Sequence, residues 1–591
     1  MSRKVLFNGA ILIRPGAATK IDASQFENFS LGGIGVVGLI GEAESGIPRT
    51  VKIFTTAKGV QDEFYAGDLV EAANIAADPS NDPRITAGAQ LLICYKVNNS
   101  TQASFTHSAT ILYTTKKYGV KANNVTIALA TSGSGKVFTI TDIDSTGAPV
   151  VETSPELGGT GKFTIQYTGA GATSTLTTTA TTFVVATGAG GAAEDSFTLN
   201  FADYPKLSDL IRYVDSLTSF TCASLITNDS SFDPSNVDLQ SAVDIKTSLT
   251  TVFSKNFDYS DYLNTNSSIV TAVLTKALAP VGNLTATVLT GGTRGTSANS
   301  DWTTGLTSLA SVRINQLVPL ASADAVTLQG TFTYASIAAA VTAHCKLLSS
   351  TSGRNERQGW IGMQGTKTAL LASIALQNSE HVCMVGQKIK RLKIATSAIE
   401  FLPEWGLAAC LAGLRAGAPL GMPITYKLIS AQGLSSDASW SESSNTDVQD
   451  LQLNGMIVVN DVRNIGFRID KAITTYTKSE NDAFIEETIV QIWKNVSYEL
   501  RTFLENQFTG MPGDLITVEQ VPATVAGVME KFKDARAITD SIENGVRTNA
   551  YRNIKVNLDG DKLFVGLTFI PTPGINYTLI SLVIAPARIS L

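Results

Sequence analysis

Three histidines, His107, His344 and His381, are the whole supply of imidazole in a chain of 591 residues. Two of them have a thiol close by: His344 precedes Cys345, and His381 stands two residues before Cys383. Such pairs invite a metal or thiol–base reading. Zinc requires four suitable ligands, and the neighbouring residues offer no carboxylate–histidine spacing. Both cysteines sit in apolar runs, one helix-like and one strand-like, where Cys is usually a small hydrophobe. No GxSxG elbow occurs, and three histidines in these contexts assemble no triad for an α/β hydrolase. Two glycine patterns imitate phosphate sites. Gly33-Ile34-Gly35-Val36-Val37-Gly38 matches GxGxxG, but a dinucleotide site needs a helix start after the glycines. Here the second half is strand-like and leads to Glu42 and Glu44, whose charges oppose phosphate. GSGKV at Gly133 to Val137 resembles the end of a Walker A loop, yet Ala130 replaces its first Gly and Val137 its magnesium-binding Ser or Thr. Both read as turns. The residues argue for no enzyme, no cofactor and no metal.

Composition narrows the partners. With 45 Lys plus Arg against 51 Asp plus Glu, the net charge is −6, and no basic block exists to hold nucleic acid. Only 16% of residues are charged, which suits a surface buried among copies of the same chain. The five cysteines (Cys94, Cys222, Cys345, Cys383, Cys410) are scattered, odd in number and free of CxxC, which favours a reducing compartment. The start MSRKVLFNGAILIRPG superficially resembles a signal peptide, but Asn8-Gly9 splits its apolar run and Arg14-Pro15 ends it. No uninterrupted run of eighteen apolar residues exists, so no membrane span is expected.

The elements that must position any site follow from periodicity. Ile485, Ile489, Ile492, Trp493, Val496, Leu500, Phe503 and Leu504 recur at three and four, which predicts one continuous helix over 479–508. Ser479 with Asp482 resembles its capping box, and its length would be about 40 Å. Two strand-like runs, NIKVNL and KLFVGLTFIP, flank the turn signal Asp559-Gly560, and a last apolar strand, INYTLISLVI, follows PTPG. At the other end VLFNGAILI, Val5 to Ile13, reads as one extended strand. Burying about five apolar side chains would gain it roughly 7–15 kcal/mol. Backbone ordering at roughly 1–2 kcal/mol per residue cancels most of that for a lone strand. Such a strand makes sense when it completes a sheet, as in strand addition to another subunit. Between the ends, strands alternate with helices from Gly35 to Asn98 and again after Leu289, which predicts an α/β framework with a largely parallel sheet. From about Ser100 to Thr287 the chain turns Thr/Gly/Ser-rich with short alternating strands, a β-rich insertion. Within it YPKLSDLIRYVDSL and SSIVTAVLTKALA read as helices.

These framework residues resemble a known family. GVVGLIGEAESG at Gly35 to Gly46, LTGGTRGTSANSDWTTGLTSL at Leu289 to Leu309, and the helix from Asp482 to Phe508 with its following strand pair are similar to the tail sheath proteins of contractile phage tails and related injection machines. The resemblance covers most of the chain except the insertion. It implies a mixed α/β and α+β multidomain fold, with a subtilisin-like framework that lacks a catalytic triad and extended strand arms at both ends. The implied division is an N-terminal arm over 1–22 and framework over 23–99. A β-rich variable domain (100–287), framework again (288–455), a tube-proximal C-terminal domain (456–571) and a C-terminal arm (572–591) follow. The implied function is a structural subunit that polymerises as stacked hexameric rings around a tail tube and contracts without nucleotide to drive the tube through the host envelope. Its expected partners are itself, the tube protein, and the baseplate and tail terminator proteins, in a virion assembled in the host cytoplasm. Val5, Phe7, Ile11 and Ile13 fall in the N-arm, and Tyr577, Leu579, Leu582 and Ile584 in the C-arm. Glu486, Glu487, Lys494, Glu499 and Arg501 are candidates for tube contact, or simply a solvated helix face. A competing reading makes the Thr/Gly-rich insertion a surface adhesin of a virion or cell.

Overall fold

The structure is a computed structural model that describes residues 5–7, 10–12, 35–85, 87–143, 147–275, 280–322, 333–543 and 545–576. Its centre is a sheet of seven strands: β1 (Val36–Gly41), β2 (Val51–Phe54), β3 (Leu91–Lys96), β4 (Gln316–Pro319), β5 (Gln358–Gly362), β6 (Val382–Val385) and β7 (Met456–Ile457). The spatial order is β7-β6-β5-β4-β1-β3-β2, and every pairing is parallel except that of β2 with β3. The parallel strands read as near-continuous apolar runs because both faces are covered. Alternation still decides which way each residue points. Leu92 and Cys94 of β3 join the core on one face, while Ile93 and Tyr95 join the core on the other. The first core is closed by α1 (Asp68–Ala77) and by α5, the second by α2 (Asn299–Leu309), α3 (Tyr334–Leu348) and α4 (Lys367–Gln377); α5 is Glu404–Gly417. Every residue of α5 from Glu404 to Ala416 is buried. Its glycines permit that, since a Cβ on Gly413 would stand 2.3 Å from the carbonyl oxygen of Ala76 in α1.

Between β3 and β4 lies the insertion, which has two cores of its own. One gathers residues between Phe163 and Val252, the other residues between Ala103 and Ile140 and between Tyr259 and Leu289. The first module is thus nested inside the second. The short strands expected across the insertion are present at NVTIALAT, KVFTITDI, KFTIQYT, TTFVVAT and SFTLNF. One expectation is corrected here. SSIVTAVLTKALA is not helical where described: Val270–Leu274 is a strand paired with Ile111–Tyr118. The helix instead occupies the polar run Lys255–Asn266 before it. Alternating β-branched Val270, Thr271 and Val273 suit a half-buried strand, whereas the helix is stabilised by burying only Tyr259, Leu263 and a few small polar side chains.

The two ends of the chain depart from the sequence expectation in three ways. The long helix breaks at Glu486. A single turn, Asp482–Ile485, is capped by Asn481 rather than Ser479, and α6 (Glu487–Phe508) follows. At the break Glu486 is extended (φ −79°, ψ 119°) and pairs as an isolated bridge with Ile473. A further helix, α7 (Leu515–Asp534), carries Pro522 inside it, and that proline hides the helical signal. The segment VLFNGAILI is two three-residue strands, Val5–Phe7 and Ala10–Leu12, paired antiparallel with Phe7 opposite Ala10. It is not one extended strand. The pair Asn8-Gly9 between them is the strongest short-range hairpin signal there is. As expected, Tyr551–Asp559 and Lys562–Phe569 form an antiparallel pair across Asp559-Gly560. Their inward residues, Val556, Leu563, Val565, Leu567 and Phe569 among them, pack with α6 and α7 around Ile492, Val525 and Phe532.

Candidate functional site

Two of the three segments that carried the resemblance, Gly35 to Gly46 and Leu289 to Leu309, meet at the carboxyl ends of β1 and β3, the crevice where open α/β sheets bind ligands. Arg294 Nη2 donates to Glu42 Oε2 at 2.7 Å and Ser297 Oγ to Glu42 Oε1 at 2.6 Å, while Arg294 Nη1 lies 3.2 Å from Glu44. Asn98 Nδ2 donates to the carbonyls of Ala43 and Arg294, both at 2.8 Å, and its Oδ1 accepts from the Ala43 amide. Gly295 (φ 72°) is required here, since a Cβ would stand 1.9 Å from the carbonyl oxygen of Asn99. Lys96, fully buried, donates to Gly46 O and Ser100 Oγ. Burial, reinforced by Arg294, pulls its ammonium down to about 7, and burial likewise pushes the Glu42 carboxyl up. The groups bond one another within the cluster, except that Arg294 Nε is buried without a hydrogen-bond partner among the described residues. The arrangement stitches the returning chain at 294–297 to the strand from which the insertion departs. Lys96, Asn98 and Ser297 were not visible as partners of Glu42 in the sequence, because Glu42, the run Lys96 to Asn98, and Ser297 lie in three separate segments.

GxGxxG fails as a nucleotide loop for the reason anticipated: Gly38 lies inside β1, and no helix starts after it. GSGKV forms the turn between Thr126–Ser132 and Gly135–Ile143. Burial, with Arg357 beside it, holds His344 down to about 3, and burial with Lys494 nearby holds His381 down to about 2. Burial pushes Cys345 up to about 11 and Cys383 well above the usual thiol range. Among the described residues no group of three or more His, Cys, Asp or Glu could hold a metal ion.

A second polar cluster lies at the opposite, amino ends of the strands, where the first turns of α6 cross the sheet. Glu487 and Lys494 are interior. Glu487 faces Arg415 of α5 at 3.7 Å, both side chains fully buried, a distance too long for a hydrogen bond. Burial pushes the Glu487 carboxyl up, with Arg415 pulling it back. Lys494 Nζ donates to Arg357 O at 2.9 Å and to Gln358 Oε1 at 2.5 Å, and burial pulls it down to about 8. Gln316 and Gln491 exchange amide hydrogen bonds at 3.2 and 3.3 Å, and Trp360 Nε1 donates to Gln316 Oε1 at 2.7 Å. Arg501 is half-buried and bound to the buried Glu356 at 2.6 Å, and Glu499 is half-buried nearby. Of the five candidates for tube contact, Glu487 and Lys494 therefore present no surface in this conformation, and Glu499 and Arg501 reach solvent.

Glu486 is buried as well, beside the segment that leads out of the C-terminal hairpin. Gly574 N donates to its Oε1 at 3.3 Å and Asn576 Nδ2 to its Oε2 at 3.4 Å. Of the arm residues, Val5, Phe7 and Ile11 lie in the N-terminal hairpin strands; Ile13, Tyr577, Leu579, Leu582 and Ile584 lie outside the described residues. The outer edges of Tyr551–Asp559 and Lys562–Phe569 carry no further strand among the described residues. No helix among the described residues is long and apolar enough to cross a membrane.

No protein-family model matches the chain. It is similar to the tail sheath protein of Bacillus phage SP01, at 23% identity across 98% of this chain and 96% of that one. It is similar to the tail sheath protein of Staphylococcus phage Twort at 23% identity, across 98% of each chain. In fold it matches the crystal structure of the sheath tail protein of Listeria innocua, with a TM-score of 0.53 and 14% identity over 91% of this chain and 92% of that one. The chain is thus similar along its whole length to phage tail sheath proteins, and the family read from its sequence is the one its curated homologues carry.

Proposed function

We propose that this chain is the structural subunit of a contractile tail sheath. In that role it polymerises as stacked hexameric rings around a tail tube, between baseplate and terminator proteins, and shortens to drive the tube through the host envelope. The observation that carries the reading is similarity to phage tail sheath proteins over nearly the entire length of both chains. The framework would be the subtilisin-like sheath core, working without catalysis. The arms at 1–22 and 572–591 would add strands to a neighbour's sheet. The two-stranded pair 551–559/562–569, with both outer edges open among the described residues, supports this, because an open edge is a template for strand addition. Tube contact falls to the solvent-reaching part of α6 around Glu499 and Arg501.

Negative-stain electron microscopy of the purified chain tests the reading. Hollow striated tubes or stacked rings are expected, and deletion of Met1 to Ala17 should leave folded chains that no longer polymerise. Discrete particles from the intact chain, both alone and with tail tubes supplied, would overturn it.

A further inference from the structure

The residue at which the long helix breaks is the one that holds the departing C-terminal segment. The backbone of Glu486 is tied to the framework side: Ile473 bridges to it, Glu487 N donates to Ala472 O at 3.3 Å, and Thr474 N donates to Ile485 O at 2.8 Å. Its side chain points the other way and accepts from Gly574 N and from Asn576 Nδ2. Gly574 is fitted to this contact, because a Cβ there would stand 2.5 Å from Glu486 Oε1 and 3.1 Å from Pro423. Upstream the same segment is tied to the end of α7: Thr539 N donates to Ile570 O, Thr572 N to Ala537 O at 2.9 Å, and Thr572 Oγ1 to Arg536 O at 2.8 Å. Continuing the helix through Glu486 would put its backbone in the ladder of α6 and lose the pairing with Ile473. The break is what lets one residue face both elements.

We propose that Glu486 is a built anchor that fixes residues 572–576 against the framework and so sets the direction in which the C-terminal arm leaves. This rests on the arm reading for its purpose and on the local geometry for its existence. Burial raises the Glu486 carboxyl, the hydrogen bonds from Gly574 and Asn576 lower it, and Asp482 and Lys471 act in opposite senses beside it. The two donors stand at 3.3 and 3.4 Å, long for hydrogen bonds, so the hold comes from two contacts made together out of water and not from one short bond. An anchored exit transmits load from an arm both to the start of α6 and to the segment that follows α7, whereas a loose one would let the arm swivel.

Amide hydrogen exchange on the unassembled full-length chain tests the anchor. Glu486→Ala is expected to speed exchange at Gly574 by at least tenfold and to admit proteolysis at 572–576. Glu486→Gln, which keeps an acceptor, should stay near the parent, and Gly574→Ala should behave like Glu486→Ala. Unchanged exchange in Glu486→Ala with the fold intact by circular dichroism would overturn the proposal. So would equal loss in the Gln variant. Because the readout is on single chains, failure of the arm reading registers separately, as continued tube formation after removal of residues 577–591.

Discussion

The pair Arg415–Glu487 shows what a charged residue does when a helix is buried all round. Arg415 also donates to Pro419 O at 2.6 Å and Met422 O at 2.8 Å, so it is held even without its carboxylate partner. Removing one member of a buried pair leaves the other uncompensated, at about 3–5 kcal/mol, whereas replacing both with apolar groups is often neutral. Glu487→Ala should therefore lower the stability of the C-terminal part by about 3–5 kcal/mol, and Arg415→Met with Glu487→Leu should restore most of it. Denaturant unfolding followed at Trp493 reads both; equal stability of the single and double variants would contradict the argument. The histidines give a second test. Their folded values lie near 3 and 2 against 6.5 for the free side chain. Above 6.5 neither state is protonated and they add no slope. As pH falls below 6.5 the unfolded chain takes up protons that the folded chain refuses, so stability is lost, by about 1.4 kcal/mol per pH unit for each histidine. Raised carboxyls such as Glu42, Glu71 and Glu487 act in the opposite sense, but they cancel when a variant is compared with its parent. His344→Gln keeps an acceptor for Arg357 Nη1, now 3.0 Å from His344 Nε2. It should flatten the acid limb between pH 6 and 4 by about 1.4 kcal/mol per unit. An unaltered limb in the variant would mean that His344 titrates normally in the folded chain.

At the level of elements, two helical glycines predict opposite signs. Gly413 in α5 meets the Ala76 backbone, and a Cβ would come within 2.3 Å of its oxygen and 2.6 Å of its Cα. Backbone cannot swing aside, so Gly413→Ala should cost about 1–3 kcal/mol or more. Gly527 in α7 has nothing within 4 Å of its would-be Cβ, and Gly527→Ala should stabilise by about 0.5–1 kcal/mol through helix propensity. Thermal unfolding of the two variants checks both; a shift of the same sign would refute the close approach of α1 and α5. The same contrast explains which elements were legible. Val36–Gly41 and Leu91–Lys96 announce themselves because strands covered on both faces are unbroken apolar runs. Lys255–Asn266 does not, because Tyr259 and Leu263 share its buried face with the polar Asn256 and Ser260, which breaks the apolar stripe. The first turns of α6 misled in another way. Glu487, Thr488, Gln491, Lys494 and Asn495 are all buried, so the polar residues that look like a solvent face point into the protein. Glu42 and Arg294 carried a family signal, but their contact joins segments 252 positions apart, and no local pattern reports it.

For the whole molecule, the nesting of the insertion makes a prediction about what can be removed. The nested module, outer in that the chain reaches it only through the other, has a core that draws on residues from Phe163 to Val252 and on none of the framework. Its two connections are neighbours: Lys162 N donates to Val252 O at 2.7 Å, and Phe163 pairs with Val252 in an antiparallel register. Excising residues 163–251 and joining Lys162 to Val252 through a short glycine linker asks the chain only to make a hairpin turn, whose closure is entropically mild. The inner module keeps its own core, including Phe138, Tyr259 and Leu263. It loses the Phe232–Phe257 edge contact and exposes part of the helix at 255–266. The excised chain should therefore fold and, on the sheath reading, still form tubes, with a narrower outer contour and unchanged striation. Electron microscopy of the two preparations side by side decides it. Tubes of altered helical repeat would mean that the outer module takes part in subunit packing. An insoluble chain would mean that the two modules fold as one unit in spite of their separate cores.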